Sequence, residues 1–267
     1  MKNLESENVL IRQLKRMIKK EVCIVGNESG EWIIHGMEWD NPDCIHSVDE
    51  AMKYINKVGF LPLFKNDIDG FSLEERTVQE NWWSDNPKID PWMWRAIIAR
   101  QHDIAYGKFF DKKAGFISKE WLPVFANYRR DGYDFDALYD DGKAPNKHKK
   151  IMVNFMEDKA DLEIYSNELK KQAGFGKDGE KGFDGAITNL MMQTYLCNCD
   201  FKKRVNKKGM EYGWDVAVYS SIEHIYGYDY VTSCYKDHPQ DSWKQLVECM
   251  HEMYPEATEK QIRKVLK

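Results

Sequence analysis

Along residues 8–20 the apolar positions Val9, Leu10, Leu14, Met17 and Ile18 fall on one side of a helix and basic residues on the other, the pattern of an amphipathic helix that packs on a protein body. The spacing then changes. EVCIVG and EWIIHGMEW flank Asn27 to Gly30 and predict a hairpin of two short strands. Ser47 begins SVDEAMKYINKVG, with Glu50 three residues on and Gly59 past the end, which predicts a capped helix. Asp90 and Pro91 predict the start of another, carrying Trp92, Trp94, Arg95, Ile97 and Ile98. IAYGKFF (104–110) and AGFIS (114–118) flank Asp111 to Lys113 as a second hairpin, and Ser118 is placed to cap KEWLPVFANYR. The five aspartates of RRDGYDFDALYDDGKA lack the spacing of a calcium loop and read as a short helix ending at Gly142.

From Lys147 four signals follow one another at the lengths of a winged helix-turn-helix. A helix around HKKIMVNFMED presents Ile151, Met152 and Phe155; SNELKKQAGF has Ser166 as its cap with Leu169 and Ala173 inward; FDGAITNLMMQTYL aligns Phe183, Ile187, Leu190 and Met191. The strands TYLCNCDFKKR and GWDVAVYSS, joined by VNKKGMEY, supply the wing. Ser242 then caps SWKQLVECMHEMY, and Thr258 caps a last helix whose Ile262, Val265 and Leu266 dock on the preceding one. The expected class is therefore α+β: a winged helix-turn-helix with an N-terminal helix and hairpin region and a C-terminal helical pair. The expected divisions are 1–46, 47–146, 147–230 and 231–267.

Composition narrows the classes. With 42% hydrophobic residues the chain can bury a core, and its nine Trp, fourteen Tyr and twelve Phe exclude a disordered polypeptide. Lys2, Glu5, Glu7, Arg12 and Lys15 occupy the start where a signal peptide would be apolar, so a cytoplasmic location is expected, with no membrane partner. Six cysteines form no CxxC pair. Neither a metal nor a cofactor is expected: there is no P-loop, no GxGxxG after a strand, no GxSxG and no HExxH. Net charge is −5, yet residues 170–208 hold nine basic residues against four acidic ones. A basic region on an acidic chain is a local feature, and on a wing it fits phosphate.

The candidate nucleic-acid contacts are accordingly Lys202, Lys203, Arg204, Lys207 and Lys208 on or beside the wing, Lys177 and Lys181 before the third helix, and Thr188, Asn189 and Gln193 on that helix's outward face, where Met192 also lies. Asp184 near the start of the helix would repel phosphate. Trp92 and Trp94 are base-stacking candidates, and Asp90 beside them and Arg95 is the candidate catalytic carboxylate; the same residues also read as a helix cap, core indoles and an arginine paired to an acid.

Asp90-Pro91-Trp92-Met93-Trp94-Arg95, Ala105-Tyr106-Gly107-Lys108-Phe109-Phe110 and Gly213-Trp214-Asp215 together resemble the AlkZ-related bacterial proteins, which are similar to the winged-helix DNA glycosylases of the AlkZ type, over residues 47–227. The resemblance implies winged helices around duplex DNA and, if a reaction is catalysed, monofunctional excision of alkylated or crosslinked bases without a metal. The Gln-aliphatic-Gln motif that positions water in those glycosylases is absent, because no two glutamines here stand two apart. The functional expectation is a duplex-DNA-binding protein, with a non-catalytic protein-interaction or structural module as the alternative.

Overall fold

The computed structural model describes residues 24–26, 32–84, 86–156, 162–177, 179–206 and 208–267. The helix expected over 8–20 and Lys207 of the expected wing lie outside the described residues. The hairpin near the start is present as β1 (Ile24–Gly26) paired antiparallel with β2 (Trp32–Ile33).

Helix and sheet are mixed, and one sheet organises the rest. Its strands are β3 (Phe60–Pro62), β4 (Ile104–Phe110), β5 (Lys113–Ser118), β6 (Ile164–Tyr165), β7 (Leu196–Val205) and β8 (Glu211–Ser221), in the spatial order β3-β5-β4-β7-β8-β6 with every neighbour antiparallel. Two hairpins are thus joined edge to edge, at the pairing of Tyr106 on β4 with Asn198 on β7. The β4–β5 turn places Asp111 and Lys112 at φ 47° and 63°, the left-handed pair that matches the twist of a two-residue hairpin loop.

The helices are α1 (Val48–Val58), α2 (Pro91–Gln101), α3 (Leu122–Arg130), α4 (Phe135–Asp140), α5 (Asn146–Met152), α6 (Ser166–Gln172), α7 (Phe183–Met192), α8 (Ile222–Tyr226), α9 (Tyr228–Val231), α10 (Pro239–Met253) and α11 (Glu259–Leu266). Their starts follow local chemistry where a side chain is free to cap. Ser47 Oγ accepts from the backbone N–H of Glu50, whose own carboxylate reaches one residue past Ser47 to the N–H of His46 at 2.8 Å. Gly59 closes α1 at φ 87°, and any side chain there would collide with the Trp121 indole. Thr258 and Gln261 form a full capping box at α11.

Three expected caps are used differently. Ser166 falls inside α6, whose N-cap position is Tyr165, and makes no capping bond. Ser118 ends β5 and is followed by a turn of 3₁₀-helix before α3, with no cap bond. Ser242 lies in the first turn of α10, which begins earlier at Pro239 with His238 as the cap, and accepts a hydrogen bond from Asn127 Nδ2 at 2.9 Å. Pro at the first helical position starts α10 upstream and frees the buried serine for this tertiary contact. α11 docks as expected through Ile262, Val265 and Leu266, and its far side is tied to Asp67 by Lys264 Nζ and Gln261 Nε2.

Arg130, at the end of α3, fastens these pieces to one another. Its guanidinium is fully buried, stacks on the Tyr195 ring at 4.4 Å, donates to the carbonyls of Gln193 and Thr194, and pairs with Glu223 and the hydroxyl of Tyr235. Burial opposes its charge, but Glu223 holds it above the ordinary arginine range. Replacing Arg130 with Met leaves Glu223 and the Thr194 carbonyl without their donor, while the Thr194 hydroxyl still donates to the Gln193 carbonyl, so a loss of ~3–5 kcal/mol is expected in urea denaturation followed by circular dichroism; a loss under ~1 kcal/mol would show that the network is redundant.

Candidate nucleic-acid interface and adjoining pocket

The strands β7 and β8 are longer than the rest of the sheet, and among the described residues no third strand lies beside their outer ends. The turn is held by Asn206, whose Oδ1 accepts from the backbone N–H groups of Lys208 at 2.8 Å and Met210 at 3.1 Å. Pairing slips between Lys202, opposite Val216, and Arg204, opposite Tyr212, so β8 carries extra residues there. Gly213, at φ 76°, lies in that irregularity, and Trp214 next to it is 89% exposed. Val205, Met210 and Tyr212 are exposed on the same projection.

The basic residues there are not equivalent. Lys202 Nζ lies 3.1 Å from Glu163 and 3.4 Å from Asp200; burial weakens its charge, and these two acids more than restore it. Arg100 at 2.9 Å shares Asp200, so this cluster is largely neutralised. Arg204 lies over the Tyr212 ring at 5.0 Å. Lys203 and Lys208 are exposed, as are Lys177 and Lys181 before α7. Glu211 and Asp215 are the acids of the same hairpin end.

The outward face of α7 is narrower than the sequence pattern indicates. Thr188 is buried: its hydroxyl donates to the Asp184 carbonyl at 2.7 Å and receives Lys108 Nζ at 3.4 Å. Met191 and Met192 take the backbone N–H groups of Lys108 and Lys112 on their sulfurs at 3.4 and 3.3 Å. The β4–β5 hairpin therefore covers this side of the helix, a packing between distant segments that helical periodicity does not encode. Asp184, Gly185 and Asn189 stay exposed, and Gln193 is half-buried at the helix end.

The tryptophan-rich helix separates into roles. Asp90 is 1% exposed and its Oδ1 accepts from the backbone N–H of Trp92 at 2.9 Å and of Trp83 at 3.0 Å, so it serves as the cap of α2; burial raises its carboxyl against these bonds. Trp94 is wholly enclosed, with its indole N–H on the Lys88 carbonyl at 3.3 Å, and has no face left for stacking on a base. Trp92 is half-buried and borders a cavity of about 310 Å³ between α2, α7 and the sheet, whose walls also include Phe64, Arg95, Tyr106, Asn198 and Phe201. Arg95 does not pair with an acid among the described residues. Its guanidinium is sandwiched instead, 3.8 Å from the Trp92 ring and 4.0 Å from that of Phe201. A second cavity, of about 530 Å³, lies beyond Lys108 and has Lys65, Lys112 and Lys113 along it. Among the described residues no group of three or more His, Cys, Asp or Glu could hold a metal ion, and no helix is long and apolar enough to cross a membrane.

The sequence profile described as AlkZ related matches residues 45–267. The chain belongs to the AlkZ-related family. No curated protein and no solved structure matches it. The match takes in both the tryptophan-rich helix and the long hairpin of this AlkZ-related chain, and so spans the cavity and the exposed indole alike.

Two features were missed in the sequence: the display of Trp214 and the ring sandwich of Arg95. The pattern of the chain cannot say that β7 and β8 outrun the sheet or that β8 is irregular around Gly213. A Trp214→Ala substitution should change stability by less than ~0.5 kcal/mol and remove much of the fluorescence quenched by acrylamide, whereas Trp94→Ala should cost ~3–5 kcal/mol. Urea denaturation and quenching titrations read the two effects separately.

Proposed function

We propose that this AlkZ-related protein binds duplex DNA, that residues 146–221 act as a winged helix-turn-helix, and that the β7–β8 hairpin is the wing. The order of elements supports the reading: α5, the short β6, α6, α7, then β7 and β8, with β6 against β8 and β8 against β7. The observation that carries it is the outer end of the hairpin, where a nearly fully exposed indole stands among Lys203, Arg204 and Lys208. Cations at that end can neutralise phosphates while the aromatic ring stacks on or wedges against bases, a pairing of chemistries found in groove binders. Lys177 and Lys181 extend the positive surface toward the start of α7, and Asn189 is the α7 side chain with reach to a base edge.

On this reading the wing makes the main contact, because Thr188 and Met192 are covered by the β4–β5 hairpin and Asp184 faces outward. The same cover favours the second reading, a protein-interaction module in which α7 is a packing element. Base excision through a glutamine pair has no residues here to run it, and Asp90 is held as a helix cap, so the proposal is binding.

The test is fluorescence anisotropy with a labelled duplex across salt concentrations. The wild type should bind with a steep salt dependence. A triple Lys203→Ala, Arg204→Ala, Lys208→Ala variant should lose about 0.9 from the logarithmic salt slope for each phosphate contact removed. Trp214→Ala should weaken binding at every salt concentration with the slope unchanged, by about tenfold if one stacking contact is lost. Indifference to DNA at low salt would overturn this reading in favour of the interaction module.

A further inference from the structure

Arg95 presents a problem that the fold itself does not resolve. The rings of Trp92 and Phe201 cover both faces of its guanidinium, which leaves the planar edge as the place for hydrogen bonds, yet Nε and Nη1 are buried without an acceptor among the described residues. Each such donor is stripped of water with nothing in exchange, and ring faces answer a cation less well than a carboxylate does. Asn198 Oδ1, on the wall of the same cavity, is likewise buried and without a hydrogen-bond partner among the described residues. Lys108 brings a second cation to the wall; its Nζ is bonded to the neutral Thr188 hydroxyl and makes no ion pair among the described residues. Tyr106 cannot supply the missing negative charge, since burial pushes its hydroxyl up to about 12, a shift that Arg95 opposes. Asp184 is the acid among the described lining residues and makes no ion pair with Arg95; Asp215 and Asp90 favour the Arg95 charge only from a distance, with no ion pair among the described residues.

The remaining wall is apolar and largely aromatic, with Phe64, Trp92 and Tyr106 around about 310 Å³ of space. A bare inorganic anion would satisfy the guanidinium edge and leave that surface unfilled. A neutral ring would fill the surface and leave the guanidinium edge without an acceptor. We propose that this cavity is a binding site for a small molecule consisting of a planar aromatic ring that carries a carboxylate or phosphate, with the anion on the edge of Arg95 and within reach of Lys108, and the ring among Phe64, Trp92 and Tyr106. The Asn198 carboxamide supplies a further hydrogen-bonding group at the ring's edge. The site is separate from the outer end of the wing, so it stands whether or not the protein binds DNA.

Isothermal titration calorimetry of the full chain with two matched pairs tests this: 1-naphthoate against 1-naphthamide, and a nucleoside monophosphate against its nucleoside. One anion of the two should bind at least about tenfold tighter than its neutral counterpart, and which of them does so distinguishes a carboxylate from a phosphate ligand. Arg95→Met should abolish that preference. Arg95→Lys, which keeps the charge but not the planar edge, should recover little of it. Lys108→Ala alters an exposed side chain and should weaken the anion several-fold in a protein whose circular dichroism is unchanged, which keeps the test open if Arg95→Met does not fold. Absence of binding by both anions, equal affinity for anion and neutral partner, a preference that survives loss of Arg95, or one undiminished by loss of Lys108 would overturn the proposal.

Discussion

Much of the structure depends on one buried guanidinium. Arg130 reaches from α3 to the turn between α7 and β7, where Thr194 is held at φ 60°, and to Glu223 on α8 beyond the far end of β8. Both ends of the long hairpin therefore converge on one side chain. Carbonyls at a helix end need donors, and an arginine that satisfies several of them at once while paired to Glu223 makes its burial tolerable. The direction of β7 and β8 follows from this anchor, and their outer ends project because their roots are fixed.

The second constraint is the junction of β4 with β7, which makes one sheet of two hairpins. It brings the β4–β5 hairpin over α7 and α2 over the sheet, and so creates both the narrowed α7 surface and the cavity beside Trp92. The same packing thus withdraws Thr188 from solvent and assembles residues from 92 to 201 around Arg95. Display at the hairpin end and enclosure at its base are two consequences of one arrangement.

What could be read from the chain alone was what local chemistry decides. Ser47, Asp90 and Thr258 are caps, Asp111 and Lys112 make a tight turn, and Phe183, Ile187, Leu190 and Met191 face inward on α7 as their spacing requires. Ser118, Ser166 and Ser242 look the same in sequence but do not cap, because strand ends and tertiary contacts compete for a serine hydroxyl and spacing does not record them. Of the proposed site, the exposure of Lys203 and Lys208 and the nearness of Trp92 to Arg95 were legible. The neutralisation of Lys202 by Glu163, the enclosure of Trp94 and the ring sandwich of Arg95 were not, since each depends on a neighbour far away in sequence.

The most direct test of the account is photocrosslinking to a duplex from an unnatural photoreactive residue placed at Trp214, with the same residue at the exposed Tyr139 on α4 as the control position. Crosslinks from 214 that fade as salt is raised, with none from 139, are the predicted result. Equal crosslinking from both positions, or none from 214 while the protein still binds DNA, would contradict the assignment of the hairpin end as the DNA-binding surface.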